Sequence, residues 1–174
     1  MSALATCLSR SFNWADKVIP DGAFAVPSAQ TLIRTAGASP TADSFAGLEA
    51  LLASIQAESE LSLFGRVSLR WDFARLLRNA QTIEDAHRAN PALGATPVKA
   101  PLFILGLPRS GTSFLHALMA EDPDNQVPRN WQMIYPAPRP AGFNPAGDKR
   151  VVSVDKQLDL FNGLAPGFRD MHPI

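Results

Sequence analysis

Cysteine is almost missing from this chain of 174 residues, since Cys7 is the only one. A single thiol cannot form an intramolecular disulfide, and it cannot build a cysteine-rich metal site. Neither sign of charge is in excess, because sixteen Lys and Arg side chains oppose sixteen Asp and Glu side chains. This balance argues against a protein that binds nucleic acid or anionic lipid through its overall electrostatic field.

Long hydrophobic runs are missing as well. The longest wholly apolar stretch lies around residues 102–107, far short of the ~20 residues that a membrane-spanning helix needs. Residues 1–10 carry no basic leader, and polar residues interrupt their apolar stretch too early for a signal peptide. We therefore expect a cytoplasmic protein that has neither a membrane nor a nucleic acid as its partner.

Proline divides the chain into two parts. None of the fifteen prolines lies between Thr41 and Asn90, whereas twelve lie from Pro91 onward. Apolar residues in the first part recur at three- and four-residue spacing, which is typical of helices. The sequence therefore predicts a helical N-terminal segment over residues 1–96.

Residues that favour helix ends delimit the predicted helices of this segment. Ser28 is a suitable N-cap, and Gly37 a suitable stop, for a short first helix. A second helix is expected to begin near Asp43 or Ser44, and a third is expected to run towards His87.

The pattern changes in the second part of the chain. Residues 102–106 form a short, continuously apolar run, which is typical of a strand buried on both faces of a parallel sheet. Helices are predicted over residues 112–121 and 149–162, the latter capped by Gly163. Residues 97–174 are therefore expected to form an α/β domain.

A glycine-rich motif lies between the predicted strand and the helix that follows it. Gly106 and Gly111 have the spacing of the phosphate-binding loop G-x-x-x-x-G-K-[ST], and Ser113 occupies its hydroxyl position. We call residues 106–113 the glycine loop. Unpaired N–H groups and the dipole at a helix start favour an anion, and glycine lets the backbone approach it closely. The motif therefore predicts an anion-binding site.

The glycine loop departs from that pattern in its cation. Thr112 stands where the lysine is expected, and the cation is Arg109 instead. Without the lysine, the loop lacks the group that reaches the β- and γ-phosphates of a nucleoside triphosphate. A P-loop kinase or NTPase with a displaced cation is therefore an alternative and not the first interpretation.

The sequence Leu-Pro-Arg-Ser-Gly-Thr-Ser at residues 107–113 resembles the 5′-phosphosulfate loop of sulfotransferases that use 3′-phosphoadenosine 5′-phosphosulfate (PAPS). It is most similar to the bacterial family whose loop reads G-[LM]-P-R-[ST]-G-T-[ST]. The similarity continues through further segments of the chain: residues 61–65, 116–123, 127–138 and the helix that ends near 164–166.

The resemblance implies a fold and an activity. The fold would be α/β, with an incomplete parallel sheet of the P-loop-containing nucleotide-hydrolase type after the helical segment. The activity would be transfer of a sulfuryl group from PAPS, as cosubstrate, to a hydroxyl or amine of a small-molecule acceptor. No metal is required in such a scheme.

The resemblance also implies roles for individual residues. Pro108, Arg109, Ser110, Gly111, Thr112 and Ser113 would bind the cosubstrate. Arg109 would be catalytic, because it would stabilise the negative charge that grows on the leaving group. Thr112 and Ser113 would donate hydrogen bonds to the phosphate oxygens.

The family's general base and 3′-phosphate site usually come from later segments, one of them a strand with a Lys-[ST]-Pro-x-His-like sequence, which the 174 residues do not contain. We therefore expect a chain truncated at its C-terminus, and a non-catalytic fragment is a further alternative. His87, His116 and His172 are the histidines available as a base, and the sequence assigns the role to none of them. The sequence also assigns no acceptor and no oligomeric state.

Two aromatic residues of the proline-rich part allow two interpretations. Trp131 and Tyr135 could line an acceptor pocket. Aromatic residues next to prolines more often attach a loop to the core, and the core interpretation is preferred here.

Overall fold

The computed structural model describes residues 11, 14, 17, 18, 24–108, 110–138 and 142–165. The chain divides into two compact units, Met1–Ala89 and Asn90–Ile174. The first unit contains α1 (Ala29–Ala36), α2 (Ala42–Glu58) and α3 (Leu63–Ala89). The second unit contains α4 (Ala92–Ala95), α5 (Thr112–Ala120), α6 (Asn130–Ile134), a 3₁₀ turn (Pro145–Gly147) and α7 (Lys149–Leu164).

Side-chain caps fix the helix starts of the first unit. The Ser28 hydroxyl accepts a hydrogen bond from the Thr31 N–H at 3.2 Å, and Gly37 ends α1 in the left-handed region at φ 64°. Both predicted ends of this helix are confirmed. The Thr41 hydroxyl caps α2 in the same way, so that helix begins at Ala42.

An apolar cluster holds the three helices of the first unit together. Leu32 of α1 is completely buried and lies at the centre of the cluster. Full burial of a leucine contributes about 1.5–3 kcal/mol to folding. The other members come from all three helices and the segment before them: Val26, Ala29, Phe45, Leu48, Leu52, Leu69, Phe73 and Leu77.

A set of polar and aromatic contacts around Arg150 organises the second unit. The Asp148 carboxylate caps α7 by accepting from the Arg150 N–H at 2.8 Å, and it also pairs with the Arg150 guanidinium at 2.8 Å. The same guanidinium donates to the Ala137 carbonyl at 2.7 Å and lies 4.8 Å from the centre of the Trp131 ring. Trp131 in turn stacks on Phe143. We call this set the Arg150 clasp, and it ties α6 and the following proline-rich segment to the start of α7.

The clasp decides between the two interpretations of the aromatic residues. Trp131 is only 8% exposed and packs between Arg150 and Phe143, as the core interpretation predicts. Tyr135 is half-buried, and its hydroxyl accepts a hydrogen bond from the Gln157 side chain of α7 at 2.8 Å. Both residues attach their segment to α7.

The predicted parallel sheet is wrong, and with it the α/β fold class. None of the residues that the structure describes lies in a β-strand. Residues 101–107 have no regular structure, and the large side chains of this run are 66% to 90% exposed at Leu102, Phe103, Leu105 and Leu107. A strand exists only where a neighbouring strand pairs with its backbone, and the described residues supply no such neighbour. The described structure is helical.

Smaller differences concern the helices of the second unit. Helix α7 continues to Leu164, so Gly163 is not its cap as predicted. The short helix α4 lies near the end of the predicted helical segment. Among the described residues, no helix is both long and apolar enough to cross a membrane.

The clasp predicts a dependence of stability on pH. Hydrogen bonds from the Arg150 side chain, and then from its backbone N–H, lower the pKa of Asp148 from 3.8 to about 2. Because the pKa of Asp148 is lowered in the folded state, its ionised carboxylate stabilises the fold at pH values above 3.8. This contribution disappears as the pH falls through about 2. Urea unfolding should therefore show that Asp148→Asn is less stable than the wild type at neutral pH and loses less stability between about pH 4 and pH 2.

The matched control is Asp155→Asn, because Asp155 is exposed on the same helix. It should retain the pH dependence of the wild type. The same acid-induced loss of stability in wild type and Asp148→Asn would show that the clasp does not depend on the ionised carboxylate.

Candidate functional site

The glycine loop folds into a tight turn at the start of α5. The Ser110 N–H donates a hydrogen bond to the Leu107 carbonyl at 3.2 Å, which closes the turn. Gly111 follows as the N-cap residue of α5 with φ 85°, in the left-handed region that side chains with a Cβ rarely adopt. Helix α5 then begins with the hydrogen bond from the Leu115 N–H to the Gly111 carbonyl, at 3.0 Å. The glycine at position 111 is therefore required by the turn itself.

Gly106 lets the two ends of the loop approach each other. A Cβ atom at this position would overlap the Ser110 hydroxyl, and it would lie only 2.7 Å from the Thr112 methyl group. Real Cβ atoms do not show such contacts, so another residue at 106 would force the Ser110 and Thr112 side chains to move. The loop thus brings the side chains of Ser110 and Thr112 together over the Gly106 backbone.

The N-terminus of α5 carries no side-chain cap. Gly111 has no side chain to offer, and the first turn contains no acidic residue. Helices α1, α2 and α7, in contrast, are capped by Ser28, Thr41 and Asp148. The first N–H groups of a helix lack partners within the helix and carry a positive partial charge. The start of α5 is thus suited to accept an anion from outside the chain.

The predicted site residues lie where this helix begins. Pro108, Ser110 and Ser113 are exposed, and Thr112 is half-buried. Three residues with hydroxyl groups therefore lie within two positions of Gly111, where the helix starts. Arg109 lies outside the described residues, so its predicted role stays a prediction.

The histidines considered as bases are spread over the chain. His87 is exposed on α3 in the first unit, and His116 is exposed on α5, one turn after the glycine loop. His172 lies outside the described residues. Of the two that are described, only His116 belongs to the same unit as the glycine loop.

The region around the glycine loop is similar to a known protein family. Residues 101–162 match the family model of the sulfotransferase family. The match includes the glycine loop, α5 and α6, and most of α7. The resemblance to sulfotransferases is therefore confirmed over this stretch of the chain. No curated protein and no solved structure matches the chain.

The close approach at Gly106 generates a prediction about ligand binding. Gly106→Ala should weaken binding of PAP, the desulfated form of PAPS, by about tenfold to a hundredfold. The added Cβ atom overpacks the closed loop and raises its free energy by about 1–3 kcal/mol, and binding would have to supply this free energy. Isothermal titration calorimetry measures the affinity, and circular dichroism checks that the helix content is unchanged.

Gly147→Ala is the matched control, because a Cβ atom there would meet nothing within 4 Å. It should bind PAP like the wild type. If Gly106→Ala also binds PAP with wild-type affinity, the closed form of the loop is not needed for binding.

Proposed function

We propose that this chain binds PAPS through the glycine loop and serves in transfer of its sulfuryl group to a hydroxyl or amine acceptor. The observation that supports this most is the match of residues 101–162 to the sulfotransferase family. The open N-terminus of α5 supports it independently, because the 5′-phosphosulfate end of PAPS is an anion of the kind that such helix ends bind.

The turn geometry narrows the set of donors that would hold the 5′-phosphate. The Ser110 N–H is already used in the turn to Leu107. Among the described residues, the backbone donors are therefore the N–H groups of Gly111, Thr112 and Ser113. The hydroxyl groups of Ser110, Thr112 and Ser113 add donors around them.

The reaction moves one group between two oxygen atoms when the acceptor is an alcohol. The acceptor oxygen forms a bond to sulfur, and the bond between sulfur and the bridging phosphate oxygen breaks. The electron pair of the broken bond stays on the phosphate, where negative charge grows. Arg109 would stabilise this charge, and a positioned donor of this kind typically lowers a barrier by about 3–4 kcal/mol. The acceptor proton leaves to a base.

A comparison of nucleotides tests the proposal. PAP should bind without magnesium, and ATP should not match its affinity in the presence or absence of magnesium. Isothermal titration calorimetry of the 174-residue chain with both nucleotides measures this directly. Binding that requires magnesium and ATP would contradict the proposal and favour a P-loop kinase or NTPase.

Substitution of the loop cation separates binding from catalysis. Arg109→Ala should lower the rate of sulfuryl transfer from PAPS to 2-naphthol by at least about a hundredfold, and PAP affinity by much less, because the charge it stabilises grows only during the reaction. The transfer rate is measured by the release of PAP. Arg78→Ala, at an exposed arginine of α3, is the control and should change neither quantity.

Equal rates for Arg109→Ala and the wild type would remove Arg109 from the mechanism. A wild-type chain that binds PAP but transfers no sulfuryl group would contradict the catalytic half of the proposal and favour a non-catalytic fragment.

A further inference from the structure

The apolar segment in front of the glycine loop exposes its side chains instead of burying them. We call residues 102–107 the apolar run. None of its residues carries a charge, and a proline bounds it at each end, at positions 101 and 108. The exposed fractions lie between 66% and 90% at Leu102, Phe103, Leu105 and Leu107. Contiguous exposed apolar surface of this kind typically marks a site where another molecule binds.

The backbone of the apolar run is exposed to a partner as well. Within the part of the chain that the structure describes, its one hydrogen bond to another backbone group is the bond that the Leu107 carbonyl accepts from the Ser110 N–H. The backbone groups of residues 102–106 therefore have no partner among the described residues. Such a row of N–H and carbonyl groups is what an added β-strand binds.

The apolar run has the two-residue period of an extended chain. Leu102 and Ile104 line the pocket beside α5, whereas Phe103 and Leu105 do not. Ile104 is half-buried, and its two neighbours are exposed. No residue of the run has a positive φ. Successive side chains of an extended chain point to opposite faces, so the run can pair with a second strand without a large rearrangement.

The partner that fits these properties is a second copy of the same run in antiparallel orientation. An uncharged run offers no ion pair to a charged partner, whereas an identical run matches it in apolar character. When two runs are centred on Ile104, Phe103 of one copy lies opposite Leu105 of the other. Both residues belong to the exposed face, and apolar pairs across two strands are stabilising.

The glycine loop favours this register over one that is centred further along the chain. Pairing centred on Ile104 uses residues 102–106 of both copies. Pairing centred on Leu105 would instead require Leu107, whose carbonyl already closes the turn to Ser110. The register at Ile104 therefore leaves the turn of the glycine loop intact.

The area that this pairing buries decides how strong the association is. A fully exposed phenylalanine has about 200 Å² to bury, and a leucine has on the order of 100 Å². Scaled by their exposed fractions, Leu102, Phe103 and Leu105 give about 300 Å² from each copy, or about 600 Å² together. Interfaces below about 1,200 Å² are typical of weak, transient associations. The dimer is therefore expected to form only at high concentration.

We propose that the apolar run is a self-association surface, through which two copies of this chain form an antiparallel two-stranded ribbon over residues 102–106. Each run supplies the backbone partners that the other lacks, and Phe103 and Leu105 of the two copies cover each other. The ribbon joins two chains and is antiparallel, so it differs from the parallel sheet that the sequence predicted. The inference is independent of the proposed function, because no ligand of the glycine loop enters it.

Sedimentation equilibrium of the 174-residue chain, from micromolar to millimolar concentration, tests the proposal. The weight-average mass should rise with concentration from 18.7 kDa, the mass of one chain, towards twice this value. Leu105→Lys should weaken the association by at least about tenfold, because it removes the apolar pair with Phe103 and puts a charge into the ribbon. Circular dichroism checks that the helix content is unchanged.

Met133→Lys is the matched control, because it makes the same kind of change at a side chain of α6 that is 66% exposed and lies outside the run. It should associate like the wild type. A wild-type chain that stays monomeric at every concentration would overturn the inference, and so would a Leu105→Lys variant that associates as strongly as the wild type.

Disulfide cross-linking tests the register without a charged substitution. Cys7→Ser first removes the only native thiol. Ile104→Cys in this background should then form a disulfide-linked dimer with copper phenanthroline as the oxidant. Opposite residues of an antiparallel pair have Cα atoms about 4.5–5.5 Å apart, which is within the range of disulfides.

Leu102→Cys in the same background is the control for random collisions. Its counterpart in the second copy lies four residues further along the ribbon, about 13 Å away, which is too far for a disulfide. It should therefore give little dimer. Equal yields of dimer from Leu102→Cys and Ile104→Cys, or no dimer from Ile104→Cys, would contradict the proposed pairing.

Discussion

The close approach of the glycine loop to itself is the constraint on which the rest of the site depends. With the Ser110 and Thr112 side chains where they lie, a Cβ atom at position 106 would overlap them, and Gly106 has none. The last residues of the loop, Thr112 and Ser113, are the first residues of α5, whose start has no side-chain cap. The missing side chain at Gly106 therefore lets the loop close just before the helix start that is suited to an anion.

The two longer helices of the second unit begin in opposite ways, because α7 has a side-chain cap and α5 has none. The contrast separates a structural use of charge from a functional one. At α7, Asp148 caps the helix and pairs with Arg150, so both the dipole and the two side-chain charges are satisfied within the chain. At α5, Gly111 leaves the dipole to a partner from outside. Closing both ends with carboxylates would favour stability, because a cap contributes about 1 kcal/mol. An acidic cap at α5 would repel the anion that the loop is suited to bind.

Local features of the sequence predicted local structure well, and non-local features were not predictable from it. The ends of α1 at Ser28 and Gly37 follow from the conformations that these two residues favour. The apolar run at residues 102–107 was misread, because such a run indicates a preference for burial but does not supply the neighbouring strand that a sheet requires. The contact of Arg150 with Ala137 could not be predicted from the sequence either, since only the folded chain brings the two residues together. The chemistry proposed for the glycine loop can be inferred from the sequence because its donors are consecutive residues.

The balanced charge of the chain constrains how a donor such as PAPS can be recognised. Sixteen basic and sixteen acidic side chains give no overall attraction for an anion. Under the proposed function, the attraction would come from the end of α5 and from Arg109, whose fields are screened beyond about 8–10 Å in physiological salt.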